Sequence, residues 1–218
     1  MRFWLLILFS LTLDASEIGG ISELQGNGEI SRRDSDKALT AELDSDIFSF
    51  DDVRTGNGRL AIEFLDKSVV KLTEHSKLVI DEFIYDPDPA KSKLALNMAS
   101  GTARFITGGL GLINKENISI KTPTASIGIR GTDFTATVDE LGRSLIILLP
   151  NADGTSSGEI TVTTAMGVEI LNEAFQATMV SAWEQEPTPA VTLGNMTLGM
   201  IDNMLIIQKP REVAQAIE

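Results

Sequence analysis

The feature that most constrains this chain is a pair of phase changes in its apolar alternation between Ile118 and Val138. Ile118 and Ile120 are apolar at even positions, Ala125, Ile127 and Ile129 at odd ones, and Phe134, Ala136 and Val138 at even ones again. Strand side chains repeat every two residues, so each phase change needs a bend or bulge if one face stays buried. The first falls at Thr122–Thr124, where Pro123 fixes one backbone angle and removes a donor. The second falls at Arg130–Asp133. Gly128 and Gly131 are expected to serve conformations or close approaches that other residues resist. The stretch reads as short strands turning corners around one core.

The same signal runs through most of the chain. Leu60, Ile62 and Phe64 alternate, Asp66–Ser68 turns the chain, and Val70 and Leu72 follow. Thr73–Ser76 turns it again before Leu78 and Ile80. Strand starts at intervals of about eight or nine residues suit a sandwich, barrel or solenoid. Leu94, Leu96 and Met98 alternate, and Ser100-Gly101 shifts the phase ahead of Ala103 and Phe105. Asp86–Ala90 and Gly108–Gly111 are loops. Ser144–Leu149 is a nearly continuous apolar run, the pattern of a strand buried on both faces. Asn151–Gly158 reads as a loop, and Glu159–Thr164, Val168–Leu171 and Ala174–Val180 as further strands. Helical periodicity is not found between residues 55 and 180.

The fold class is therefore all-β, with short stacked strands in a β-solenoid or β-helix-like arrangement. A β-sandwich or jelly-roll is the alternative. Met196, Met200, Ile201 and Met204 recur at helical spacing before Lys209-Pro210, which marks residues 191–218 as a partly helical tail. Residues 16–54 form a polar segment with short strands, 55–150 the main β domain and 151–190 its continuation.

Composition narrows the chemistry. A net charge of −13 disfavours nucleic-acid phosphates and anionic lipid as partners. With no cysteine there are no disulfides, thiolate metal sites, cysteine nucleophiles or cysteine lipid anchors. The single histidine, His75, lies in a polar turn sequence without a nucleophile elbow, so no catalytic residue is assigned. The acidic loops Asp86–Asp88 and Asn151–Asp153 lack EF-hand spacing and read as polar turns; no metal or cofactor is assigned. Arg130 is the one suggestive cation. It presents charge to an anionic ligand or acidic partner, or it ties the corner through backbone carbonyls or Asp133; the residue pattern favours the second.

Three segments resemble the FecR family. Thr55–Ser68 is similar to its Thr-Gly turn, strand and Asp-x-Ser, and Leu94–Phe105 to its strand pair interrupted by a glycine. Lys121–Phe134 resembles its most recognisable block, Thr-Pro-x-Ala-x-x-Gly-x-Arg-Gly-Thr-x-Phe. On this resemblance Thr122, Pro123, Ala125, Gly128, Arg130, Gly131, Thr132 and Phe134, with Asp66, Ser68 and Gly101, are motif residues of structural character. The resemblance implies a non-enzymatic extracytoplasmic module that binds another envelope or surface protein. The family's namesake regulator relays ferric-citrate arrival from an outer-membrane receptor to a cytoplasmic sigma factor. A structural or adhesive surface protein, acting as a spacer or self-assembling subunit, is the alternative.

The N-terminus has the pattern of a secretory leader. Arg2 is positive, Phe3–Leu13 is apolar but short for a membrane span, and Ala15 is a small residue for cleavage. The destination is periplasmic or extracellular. Exported protein is expected to begin at Ser16 on N-terminal sequencing, and a retained Met1 would refute the cleavage.

Overall fold

Each alternating segment becomes a strand with its apolar side turned inward. Leu60, Ile62 and Phe64 are buried, with Arg59 and Glu63 on the opposite side. The computed structural model describes residues 16–200 apart from 34, 85, 87, 89, 90 and 110–116. The leader, the tail beyond 200 (with Ile201 and Met204) and parts of the Asp86–Ala90 and Gly108–Gly111 loops lie outside the described residues. Residues 198–200 are helical.

The strands begin with β1 (Glu17–Gln25), β2 (Gly28–Ser31), β3 (Leu39–Thr40), β4 (Asp46–Phe48), β5 (Asp52–Thr55) and β6 (Arg59–Phe64). Next come β7 (Val69–Leu72), β8 (Lys77–Ile84), β9 (Lys93–Ile106), β10 (Ile118–Lys121), β11 (Ser126–Arg130) and β12 (Asp133–Val138). The series ends with β13 (Ser144–Leu148), β14 (Glu159–Thr163), β15 (Val168–Leu171), β16 (Gln176–Val180) and β17 (Val191–Thr192).

They pair into two layers. Sheet I runs β4-β1-β6-β7-β9-β12-β13-β16-β17, antiparallel throughout. Sheet II runs β3-β2-β5-β8-β9-β10-β11-β14-β15, antiparallel except where β10 lies parallel to β9. From β6 onward the chain lays down hairpins now in one sheet and now in the other, and so advances along both together. The sequential advance expected of short stacked strands is present, and the facing layers are those of the sandwich alternative.

One apolar core fills the space between the layers and extends from Ile18 on β1 to Val180 on β16. Phe64 of sheet I stacks on Phe83 of sheet II with ring centroids 5.0 Å apart. Each fully buried side chain of this size contributes about 1.5–3 kcal/mol. Ile21, Ile30 and Ile47 from the polar N-terminal segment belong to the same core, and β1 pairs along β6. The apolar run at β13 is buried on both sides from Ile146 onward, as its composition predicts, while Leu145 stays 37% exposed. Ile146 and Leu148 face the main core, while Ile147 and Leu149 pack outward under Phe175, Leu193 and Met196.

The phase changes mark where the chain turns or crosses. Strand β9 leaves sheet II for sheet I at Gly101, where a φ of +84° and an added Cβ that would fall 2.3 Å from Ser76 Oγ exclude a side chain. Thr122–Ala125 is the hairpin turn between β10 and β11, and Gly131-Thr132 carries the chain from sheet II to sheet I. The glycines divide differently from the sequence expectation. Gly128 has neither a positive φ nor a close neighbour, since an added Cβ would meet nothing nearer than Thr161 at 3.8 Å. Gly158, which the sequence did not single out, lies under the corner, where a Cβ would fall 2.2 Å from the Gly131 carbonyl oxygen.

Gly158→Ala is therefore expected to cost about 3 kcal/mol or more in urea unfolding, because the neighbour that must move is backbone. Gly128→Ala should leave stability within about 1 kcal/mol of the parent, or raise it.

Candidate functional site

The Arg130–Asp133 corner sits where β11 ends in one sheet and β12 begins in the other. A backbone leaving a ladder strands its polar groups, and buried ones must be paired. Here side-chain hydroxyls pair the amides and join backbone N–H groups of Thr107 and Leu149 in pairing the carbonyls. Thr107 Oγ1 donates to the Thr132 carbonyl at 2.6 Å and accepts the Thr132 N–H at 3.1 Å. Ser157 Oγ accepts the Asp133 N–H at 3.0 Å and donates to its carbonyl at 3.1 Å. The Asp133 carboxylate receives the guanidinium fork of Arg104, Nε at 2.8 Å and a terminal nitrogen at 2.5 Å. These two side chains are only 11% and 19% exposed, so the pair is bidentate and largely dry.

An open groove of about 380 Å³ runs over this corner. Arg104, Thr107, Thr132, Asp133 and Ser157 line it from the corner, and Pro150, Asn151 and Leu198 from outside. Thr132 is 4% exposed, and its Oγ1 has no hydrogen-bond partner among the described residues. Beside it, Asp153 is held below the usual carboxylate range by the Thr155 hydroxyl at 2.6 Å and the Thr155 amide at 3.0 Å. That carboxylate is tied within its own turn, as the polar-turn reading expects. No group of three or more metal-ligating side chains occurs among the described residues.

The motif residues occupy distinct places. Thr122 Oγ1 accepts the Ala125 N–H at 3.0 Å and the Ser144 hydroxyl at 2.7 Å, so Thr122, Ala125 and the Pro123 turn are fastened to the start of β13. Phe134 stacks on Phe105 at 4.9 Å. Ser68 donates to the Asp66 carboxylate from its amide at 3.0 Å and its hydroxyl at 2.6 Å, while its Oγ accepts the Gly108 N–H at 2.9 Å. His75 occupies a turn with φ of +55° between β7 and β8.

Arg130 differs from expectation. Its side chain is 64% exposed and lies 3.8 Å from Glu159, which is opposite it on β14. Arg130 does not tie the corner through Asp133; Arg104 takes that carboxylate. Arg104, Thr107 and Ser157 were not singled out by the sequence as site residues. Their only local signal is a polar residue on the outward side of a core strand or next to a turn.

Arg104→Ala should cost about 3–5 kcal/mol in chemical unfolding, since it leaves Asp133 buried without its partner. Arg130→Ala should stay within about 0.5 kcal/mol, as expected for a solvated pair.

Residues 51–151 match the family model described as FecR protein. No curated protein matches the chain. Two solved structures of a provisionally named anti-sigma factor from Parabacteroides distasonis are similar at 16% identity and a TM-score of 0.47. Each alignment covers 62% of this chain and 57% of that one, so the chain spans little more than half of the solved protein's length. The matched span contains the Asp66–Ser68 turn, the Gly101 crossing, the Thr122 hairpin and the Arg130–Asp133 corner, and over this span the chain matches the FecR family.

Proposed function

We propose that this chain is an exported, non-enzymatic interaction module of extracytoplasmic signalling, and that it engages another envelope or surface protein through the corner groove. The observation that carries the reading is the open groove of about 380 Å³ over the corner, lined by the Arg104–Asp133 pair. A partner segment that lies in this groove can bond its rim without disturbing the hydroxyls that hold the corner. The match to the FecR family model supports an interaction role. The non-enzymatic reading is supported by where the reactive groups are. His75 is a turn residue, and Thr107, Ser157 and Ser68 spend their hydroxyls on backbone or carboxylate partners. Ion pairing in the groove is internal, which suits shape and hydrogen-bond recognition better than capture of a free anion.

Cross-linking of the tagged mature chain in its own envelope provides the test. The parent should capture one defined protein, and Ala152→Trp, which fills the groove from an exposed loop, should lose it while melting like the parent. Equal capture by both would sink the assignment of the groove.

A further inference from the structure

The outward side of sheet II carries a feature that the described residues do not explain. Gly128 sits mid-strand on β11 with room for a side chain, although glycine there costs about 0.5–1 kcal/mol relative to alanine. Glycine inside a strand without a local need marks close approach by another chain or ligand. Across the strands, Gly128 stands opposite Thr161 on β14, and Thr161 opposite Ile170 on β15. The row therefore goes from a depression, through a small residue, to a knob. Its neighbour repeats the pattern, with Ser126 opposite Thr163 and Thr163 opposite Val168. Ile170 and Val168 are 49% and 56% exposed, and β15 has no strand beyond it among the described residues.

We infer that this face is a self-association surface, on which a second copy of the chain packs sheet to sheet about a two-fold axis running along β14. That operation lays Ile170 and Val168 of each copy over Gly128 and Ser126 of the other and sets Thr161 against its own equivalent. A two-fold interface requires a patch complementary to itself, and a row with a depression and a knob on either side of the axis meets that requirement. Charge selects the same occupant. Two copies at −13 each repel over most of their surfaces. On these three strands Glu159 is the sole outward carboxylate, and it lies beside Arg130. Glu169 is on the inward side, accepting the Ala190 N–H at 2.8 Å. Three strands present a face roughly 14 Å by 17 Å, which places the contact in the weak, transient class. The groove of the proposed function involves β9 and β12 of sheet I, so the two surfaces are separate.

Sedimentation of the mature chain should show a monomer–dimer equilibrium in the range up to about 1 mM, strengthened by added salt as mutual repulsion is screened. Ile170→Lys should raise the dimer dissociation constant by about tenfold or more with unchanged melting. Because the chain has no cysteine, introduced ones report geometry. With a short bismaleimide, Thr161→Cys should cross-link to itself. A mixture of Gly128→Cys and Ile170→Cys should cross-link more than either variant alone. Monomer at every concentration, an Ile170→Lys variant that still dimerises, or cross-linking that ignores this pairing would overturn the inference. Capture of the envelope partner by Ile170→Lys at parent level keeps the two readings independent.

Discussion

The structure depends on hydroxyl groups buried where strands pass from one sheet to the other. A two-layer fold built from short hairpins breaks its hydrogen-bond ladder at every crossing, and each break leaves an amide and a carbonyl inside the protein. At two corners three Ser or Thr side chains each accept a residue's N–H and donate to the same residue's carbonyl, which also takes a backbone amide. Ser76 does this for Thr102, Thr107 for Thr132, and Ser157 for Asp133. Thr55 does the same across two residues, accepting from the Ser76 amide and donating to the Thr73 carbonyl at 2.5 Å. An apolar replacement would keep the packing and lose both bonds.

At the same corner an open groove is lined by the Arg104–Asp133 pair, while the Thr132 hydroxyl lies sealed from solvent. A concave surface whose charges are already paired suits recognition by shape and hydrogen bonding. The opposite sheet offers a different kind of surface, with little charge and a depression facing outward, matched to its own exposed Val168 and Ile170. One face suits a polar segment and the other suits a second copy.

Part of this was legible beforehand. The phase changes at Ser100-Gly101, Thr122–Thr124 and Arg130–Asp133 fall at a sheet crossing, a hairpin turn and a second crossing, because a strand period of two leaves no other way to keep Leu96, Phe105, Ile127 and Phe134 in one core. The composition of Ser144–Leu149 likewise announced the double burial from Ile146 onward. The partners of charged residues were not legible. Arg130 stands three residues from Asp133 in sequence, but Arg104 approaches the carboxylate from β9, and only antiparallel pairing of β9 with β12 brings it there.

Glycine shows the same division. Sequence established that residues 118–138 bend twice, since alternation is a local property that needs no knowledge of neighbours. It could not rank the glycines, since the need for one depends on what lies opposite. Gly128 looked essential and has open space, whereas Gly158 looked ordinary and leaves no room for a Cβ, which would fall 2.2 and 2.4 Å from the Gly131 and Arg130 carbonyl oxygens. Strand type, the apolar inward faces and the positions of the turns were determined by the sequence alone. The tertiary structure decided which sheet each hairpin joins, which arginine neutralises Asp133 and which surface is left for a partner, because those depend on contacts between residues far apart in the chain.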